Sequence, residues 1–263
     1  MRSHLWIGLG AFVQVGSSTL AYSYHPSFSI AEREYALAVS LGAVAFYGLY
    51  RYGRVPRRPS PTAIANLVCA LIAAGLYAFE LRPEARLSLL PAIAAASLYW
   101  LAGWRYRGSS AFGWAKPLLL AAVWAAVTTA IPLHLAQDGT GPVGLGPVIG
   151  RLAFFLAIGL ASDFPHAEAD ARGGLRTVTG TLGRTPTRYV CIALLLASAL
   201  LSVGSYLNGR RASTAIALTS LLAAPVLWGA FRQNRERHRY VAVYVDGLLV
   251  LPLPIYFALA SWA

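Results

Sequence analysis

The chain has 263 residues, of which 57% are hydrophobic and only 12% are charged, and its net charge is +12. A soluble domain typically carries about 25% charged residues, so the charges are too few to cover a surface that faces water. The excess apolar surface is therefore expected to face lipid, where each backbone polar group must be hydrogen-bonded inside the protein. Continuous runs rich in Ala, Leu and Val, without the alternation of a β-barrel, favour an all-α transmembrane bundle.

Nine apolar stretches are long enough to cross a bilayer, since a spanning helix needs about 20 residues. In chain order they cover 5–24, 33–52, 62–80, 87–104, 113–135, 143–162, 188–207, 213–231 and 240–262. The first stretch lacks the small-residue cleavage site of a signal peptide, so we expect it to remain as a span. Residues 1–263 are predicted to form one transmembrane domain.

The basic residues support this count of nine. With nine spans, 16 of the 22 Lys and Arg residues lie on the side of the N-terminus, and the remaining 6 lie on the other side. The positive-inside rule makes the richer side cytoplasmic, so we expect a multi-pass protein, most simply of a bacterial inner membrane. Because the basic residues occupy short loops between spans, no nucleic-acid partner is expected. Cys69 and Cys191 fall within apolar runs and are predicted to be buried thiols.

Two of the four aspartates lie close together in the loop after the sixth stretch, in the run DFPHAEADARGGLRTVTGTLG at 163–183. If this run is helical, Asp163, His166 and Asp170 share one face. Paired carboxylates beside a basic cluster can hold Mg²⁺ against a phosphorylated substrate. The alternative is a charged, solvated loop between two spans.

This run resembles the second aspartate-rich motif of the UbiA superfamily of intramembrane prenyltransferases, which reads roughly D-x-x-D-x-E-x-D-R-x-x-G-I-R-T-L-P-x-x-L-G. The matching residues are Asp163, Glu168, Asp170, Gly174, Arg176, Thr177, Leu182 and Gly183. The family also has nine helices, with this motif in the cytoplasmic loop after the sixth. Weaker similarity extends over SLYWLAGWRYRG at 97–108, the helix that Lys116 opens, and VDGLLVL in the last span.

The resemblance implies transfer of a polyprenyl group from its diphosphate to a hydrophobic or aromatic acceptor within the membrane. By the same resemblance, the Mg²⁺ ligands would be Asp163, Glu168 and Asp170. The diphosphate contacts would come from Arg51, Lys116 and Arg176. Aromatic residues near the cytoplasmic mouth could stabilise a carbocation, and these are Tyr47, Tyr50, Tyr99 and Trp100.

The sequence departs from the family at its first motif, N-x-x-x-D-x-x-x-D, which is expected at the end of the second helix. Gly48, Tyr52 and Pro56 occupy the three positions, so no metal ligand remains there. The nearest asparagine, Asn66, does not restore the motif, because alanines follow it at the two later positions. The second motif also has His166 in place of an Asp, and imidazole is a poor ligand for Mg²⁺, so one ion rather than two is expected.

Arginines in the loop after the second span could compensate, because Arg can bind a diphosphate directly with two parallel hydrogen bonds. These residues are Arg51, Arg54, Arg57 and Arg58. Basic residues are also expected in a cytoplasmic loop for reasons of topology alone.

Asp246 lies about 10 Å inside the last span, and a carboxylate within the membrane is a candidate functional residue. With His166, it is a candidate for the substrate chamber, where it would pair with an Arg or with Lys116. The alternative is a structural pair between helices. Two other functions stay open: a UbiA-like terpene cyclase, or a non-catalytic lipid-binding, quinone-binding or transport protein, which the missing first motif favours.

Overall fold

The computed structural model describes residues 2–22, 30–52, 61–105, 110–136, 144–172, 174, 176–207, 213–232 and 240–260. All regular structure in these residues is helical, and they contain no β-strand. The helices are α1 (Arg2–Tyr22), α2 (Ile30–Tyr52), α3 (Pro61–Gly75), α4 (Pro83–Arg105), α5 (Ser110–Ala125), α6 (Ile131–Ala136), α7 (Leu145–Asp163), α8 (Ala167–Arg172), α9 (Val178–Leu182), α10 (Arg184–Leu207), α11 (Ser213–Arg232) and α12 (Pro252–Ala260).

Several described helical stretches are suited to a bilayer. Five are long and apolar enough to cross a membrane, namely Ala63–Glu80, Gly113–Leu135, Leu145–His166, Arg184–Ser205 and Ser213–Arg232. Large apolar side chains stay exposed on their outer faces, among them Leu71, Phe79 and Leu200. The chain is therefore a multi-pass integral membrane protein, as its composition predicts. The described part of each predicted span is helical apart from Gly144 and a turn at 250–251, and the count of nine spans stays a prediction.

Neighbouring helices run antiparallel, and their contacts fix the register. Lys116 of α5 meets Asp163 at the end of α7, and eight residues further along α5 the Trp124 ring lies 5.5 Å from the ring of Phe155. Along α10 and α11, Ser198 and Ser220 are hydrogen-bonded at 3.0 Å. The principal core lies among α5, α7, α10 and α11.

Irregular helical segments interrupt three of the apolar stretches. Leu76–Glu80 and Ala126–Ala130 are π-helical, and before α12 the π-helical Val241–Val245 leads into the 3₁₀ turn Asp246–Leu249. Such segments leave backbone carbonyls that a membrane interior cannot hydrate. The Tyr35 hydroxyl donates to the Val127 carbonyl at 2.8 Å, and the Gln14 amide donates to the Leu249 carbonyl at 2.8 Å. Side chains from neighbouring helices thus satisfy the irregular backbone.

The two thiols differ in burial. Cys191 is fully buried and its sulfur lies 3.5 Å from the Ala157 carbonyl oxygen, which confirms the expected buried thiol for this residue. Cys69 on α3 is half-buried.

A buried cation is also present, since Arg151 of α7 donates to the hydroxyl oxygens of Ser17 and Ser18 at 3.1 and 3.3 Å. These serines link the guanidinium to α1.

Candidate functional site

The acidic run leaves the bundle where α7 ends, and we call this end of the bundle the site end. The chain continues from Asp163 through the 3₁₀ turn Phe164–His166 into α8. Gly174 then adopts a positive φ of 83°, a conformation that glycine accepts without strain. Thr177 caps α9, because its hydroxyl oxygen accepts a hydrogen bond from the Gly180 amide at 3.1 Å. The described residues of the run therefore form a largely helical connection rather than an extended loop.

An ion pair joins this connection to α5. The Lys116 ammonium lies 2.7 Å from a carboxylate oxygen of Asp163, and both side chains are about five-sixths buried, at 15% and 16% exposure. Lys116 is the only lysine in the chain. Because the pair is largely shielded from water, dissolved salt screens its attraction less than that of a pair on the surface. Two of the predicted site residues are thus in direct contact.

Asp170 belongs to the same group of charges. Burial raises the pKa of the Asp170 carboxyl from its ordinary value of 3.8. The Lys116 ammonium lowers this pKa, the Asp163 carboxylate raises it, and the His166 imidazole lowers it. Lys116, Asp163 and His166 therefore lie within electrostatic range of Asp170.

Close packing with α5 fixes the later part of the connection. Gly113, one turn before Lys116, lies against the backbone carbonyl of Arg176, and a methyl group at position 113 would overlap that carbonyl. Thr177 is buried beside it, with its hydroxyl 3.2 Å from that of Thr179. The glycine therefore brings the Arg176 segment next to the helix that carries Lys116.

The other predicted polar residues of this site lie at its edge. Glu168 and Arg176 are exposed on α8 and before α9, and His166 is exposed at the end of the 3₁₀ turn. The Glu168 carbonyl accepts a hydrogen bond from the Arg172 Nε at 3.3 Å. Arg51 lies in the last turn of α2, but its side chain is outside the described part of the chain, as are residues 54, 57 and 58 of the predicted arginine cluster.

The carboxylates at the site end provide only some of the ligands that a metal ion needs. No three His, Cys, Asp or Glu side chains in the described residues lie close enough together to hold a metal ion. Mg²⁺ is commonly bound by one or two carboxylates together with the phosphates of a substrate. Asp163 and Asp170 therefore suit one Mg²⁺ that arrives with a diphosphate, and they do not form a preassembled ion site.

At Gly48, where the missing first motif would begin, α2 contacts the side chain of Asn66 from α3. Gly48 of α2 has no side chain, and the amide group of Asn66 from α3 packs against it so closely that a methyl group at position 48 would overlap the amide. Asn66 is buried, and its amide nitrogen has no hydrogen-bond acceptor among the described residues. An Asn side chain thus lies beside the helix position where the resemblance expects one, a proximity that the spacing along the sequence does not indicate.

An apolar cavity of about 420 Å³ lies between α2, α3, α4 and α5. No charged residue is among those that line it. Small side chains on three helices open this space, and they are Ala38, Gly42, Ala43, Ala73, Ala74, Ala92 and Ala96. On α5, the lining residues Leu119 and Leu120 follow Lys116 by three and four positions, so they lie on its face of the helix about 6 Å further along. On α5, the cavity lining therefore begins one helical turn beyond Lys116.

Aromatic rings form the part of the cavity nearest the site end. Phe46 and Tyr47 lie in the last two turns of α2 and Tyr99 in the last two turns of α4, with the Phe46 and Tyr99 ring centres 5.9 Å apart. The Trp124 indole donates a hydrogen bond to the Tyr47 oxygen at 3.2 Å. Of the aromatic residues expected at the mouth, Tyr47 and Tyr99 line the cavity, whereas Trp100 is exposed on the outer surface. Trp124 was not indicated by the sequence, because it lies in the middle of an apolar span.

The remaining candidate, Asp246, lies apart from this arrangement. It begins the 3₁₀ turn before α12 and makes no hydrogen bond or ion pair with any described residue. Lys116 pairs with Asp163 instead, and the cavity lining includes no residue of 240–260 and no His166. The turn packs against α1, where Gly10 meets the Leu249 side chain.

Comparison with known proteins identifies the fold. No protein-family model and no curated protein matches the sequence. Among solved structures, the chain is similar to the apo structure of a UbiA homolog from Aeropyrum pernix K1, with a TM-score of 0.68 and 18% identity over 100% of this chain and 99% of the other. It is also similar to a digeranylgeranylglyceryl phosphate synthase, with a TM-score of 0.58 and 12% identity over 98% and 97%. The chain therefore has the UbiA fold, and the predicted all-α, UbiA-like membrane bundle is confirmed.

Proposed function

We propose that this protein is an intramembrane prenyltransferase, which moves a polyprenyl group from its diphosphate to a hydrophobic or aromatic acceptor. The observation that supports this most directly is the position of the Lys116–Asp163 pair, one helical turn beyond an uncharged cavity on the same helix. A charged site joined to an apolar chamber suits a substrate with a diphosphate head and a hydrocarbon tail. One of the solved structures to which the chain is similar is a digeranylgeranylglyceryl phosphate synthase, an enzyme whose name describes a prenylated product.

The head group would bind at the site end. Lys116 would leave Asp163 and donate charge-assisted hydrogen bonds to the diphosphate, and Arg176 would approach from the edge of the site. Arg51, at the end of α2, would add a third cation on the side where the family has its first motif. Asp163 and Asp170 would hold one Mg²⁺, which supplies positive charge to the leaving diphosphate when it is bound, and Glu168 would stay at the edge of the site.

The chemistry would take place at the aromatic end of the cavity. The allylic C–O bond breaks with its electron pair leaving on the diphosphate, and the prenyl carbon becomes a cation. The faces of Tyr47, Tyr99 and Trp124 can stabilise this cation, and the uncharged lining excludes water that would capture it. An electron pair of the acceptor then forms the new bond to the prenyl carbon, and the acceptor releases a proton to the departed diphosphate.

A terpene cyclase is the second candidate, and the cavity itself favours it. Among the described residues, no charged side chain lines the chamber that could bind and orient a polar acceptor. In a cyclase, a double bond of the prenyl chain would attack the cation and move the positive charge to a ring carbon. That second cation would lose a proton to the departed diphosphate and give a hydrocarbon, so no separate acceptor would be needed. The two candidates share the diphosphate site and differ only in the product.

The decisive experiment measures diphosphate release by the purified full-length protein. Labelled geranylgeranyl diphosphate and Mg²⁺ are supplied with and without a panel of phenolic acceptors. We expect release that depends on the acceptor and falls at least about a hundredfold in Asp170→Asn, as for the loss of an electrostatic group at a reacting centre. Glu84→Gln is the matched control, because it removes an exposed carboxylate at the opposite end of α4.

The outcomes separate the candidates. Release without any acceptor, together with a hydrocarbon product, would favour the cyclase. If no prenyl diphosphate is cleaved, and if its binding is equal in the wild-type protein and in Asp170→Asn, both enzyme functions are wrong. A lipid-binding, quinone-binding or transport protein would then remain.

A further inference from the structure

A second cluster of cations lies on the outside of the bundle, where α10 begins and α11 ends. The Arg188 guanidinium carbon lies 3.8 Å from the centre of the Trp228 ring and 5.1 Å from that of the Tyr189 ring. The Arg232 guanidinium carbon lies 6.0 Å from the same Trp228 ring. One indole on α11 therefore holds two guanidinium groups from different helices.

Among the described residues, these cations have no anionic partner. Arg188 and Arg232 form no ion pair with any described residue, and the Arg188 Nε is shielded from solvent without a hydrogen-bond acceptor. Arg184, one turn before Arg188 on α10, adds a third exposed cation on the same side. Three like charges at two adjacent helix ends repel one another, so an external anion would be favoured here.

The cluster lies at the depth of the lipid headgroups. Arg184 is the first residue of one spanning helix and Arg232 is the last residue of the next, at the site end of the bundle. Trp and Tyr rings are common at this depth, because the bilayer interface accommodates both their apolar faces and their polar atoms. The positive-inside expectation places this end in the cytoplasmic leaflet, which is rich in anionic lipids.

Exposed apolar side chains continue from the cluster toward the middle of the membrane. On α10, Tyr189, Leu196 and Leu200 lie on one helix face and extend over about 16 Å along the axis. On α11, Leu221 is exposed two turns before Trp228. This length is close to half of a hydrocarbon core of about 30 Å, so the stripe matches an acyl chain in one leaflet.

We propose that the groove between α10 and α11 binds an anionic phospholipid, with Arg188 and Arg232 holding its phosphate and Trp228 orienting both guanidinium groups. Guanidinium is suited to this task, because its planar N–H groups can donate two parallel hydrogen bonds to a phosphate. The acyl chains would lie along the Tyr189–Leu200 stripe. This site is separate from the cavity, which α10 and α11 do not line, and it does not depend on the proposed enzymatic function.

Native mass spectrometry of the full-length protein tests the proposal. The protein in mild detergent is titrated with phosphatidylglycerol or phosphatidylcholine, and the bound lipids are counted. We expect a preference for phosphatidylglycerol that falls about fivefold in Arg188→Gln or Arg232→Gln and about 25-fold in the double variant, from the usual contribution of one cation near an anionic lipid. Arg82→Gln, which removes an exposed cation at the opposite end of the bundle, should keep the preference.

Two measurements keep the test independent of the stability of the variants. In the wild-type protein, rising salt should weaken the preference for phosphatidylglycerol, because the attraction is electrostatic. Arg188→Lys keeps the charge but loses the planar stacking group, so it should fall between the wild-type protein and Arg188→Gln. The proposal is wrong if the wild-type protein binds both lipids equally or if the double variant retains the preference. It is also wrong if glycerol phosphate without acyl chains displaces the lipid at equal concentration.

Discussion

Lys116 and Asp163 neutralise each other at the place where the proposed function requires Mg²⁺ and a diphosphate to bind. Mg²⁺ would have to compete with the ammonium for the Asp163 carboxylate, and a diphosphate would have to compete with the carboxylate for the ammonium. In the proposed function, the ion pair at 2.7 Å would thus make each ligand favour binding of the other. The pair would occupy both groups until a substrate with its metal ion arrives.

The variant Lys116→Met should change the binding of the metal ion and the binding of the diphosphate in opposite directions. Without the ammonium, Asp163 is available to a divalent ion, so the variant should bind Mn²⁺ about fivefold more tightly in the absence of diphosphate, as expected for loss of a competing pair worth about 1 kcal/mol. Its affinity for inorganic diphosphate should fall. Titration of Mn²⁺ by electron paramagnetic resonance measures the first change. Arg82→Met serves as the control, and equal Mn²⁺ affinities in all three proteins would contradict the proposed coupling.

Asp170 makes the stability of the protein depend on pH. Because burial raises the pKa of its carboxyl above 3.8, the ionised form is disfavoured in the folded state. This destabilisation is fully present above the folded-state pKa, and it disappears as the carboxyl becomes protonated at lower pH. Asp170→Asn should therefore have a higher Tm than the wild-type protein at pH 7, and the gap should close as the pH falls toward 4. A Tm gap that is constant over this range would show that the carboxyl has an ordinary pKa.

At the scale of elements, the contact between α5 and the acidic connection positions the site. The connection crosses α5 at Gly113, where the Arg176 carbonyl occupies the space of a side chain. The same helix then presents Lys116 to Asp163 and its next turn to the cavity. A displacement of the connection would therefore separate the charged site from the apolar chamber without unfolding the helices.

Gly113→Ala tests this arrangement. The added methyl group overlaps backbone rather than a flexible side chain, so the connection must move away from α5. We expect at least about a tenfold loss of diphosphate affinity, since the loss of one charge-assisted hydrogen bond alone costs about 1.5–3 kcal/mol. Isothermal titration with a prenyl diphosphate measures this change. Gly204→Ala is the matched control, because a methyl group on this face of α10 meets no other atom. Equal affinities in both variants would show that the contact does not position the site.

At the scale of the whole molecule, four helices line the cavity, and small residues on three of them create its space. Alanine or glycine on α2, α3 and α4 leaves empty the space that larger side chains would fill. The larger side chains of α5 form the opposite wall of the cavity. The volume of about 420 Å³ is within the usual range for a small-molecule site. The length of the prenyl chain that the protein accepts would then depend on these alanines.

Ala92→Leu should shorten the preferred substrate. The leucine side chain would occupy part of the cavity, so the longest prenyl diphosphate that binds in the wild-type protein should lose affinity, and shorter ones should bind as before. A competition series of prenyl diphosphates of increasing length measures the change. Ala94→Leu lies two residues away on the exposed face of α4 and should leave the preference unchanged. If the two variants select the same lengths, the prenyl chain binds elsewhere.

Much of this protein follows from the sequence because lipid imposes simple rules. A span must be apolar over about 20 residues and must satisfy its own backbone, so the helices can be recognised from composition and length alone. The acidic run is recognisable for a related reason. Charged residues are rare here, and the spacing of Asp163 and Asp170 along a helical connection places them on one side. Which of these residues bind a ligand stays a prediction.

Contacts between helices distant in the sequence were decided only by the tertiary structure. The pairing of Lys116 with Asp163, rather than with Asp246, depends on the register of α5 against α7. The position of Asn66 beside Gly48, and of Trp124 beside Tyr47, depends in the same way on how α2 packs against its neighbours. In a bundle of uniformly apolar helices, hydrophobic pattern does not set this register, because lipid and protein are nearly equal surroundings for an apolar side chain. Small residues and scattered polar contacts set it instead, and their partners become evident only when the helices are packed.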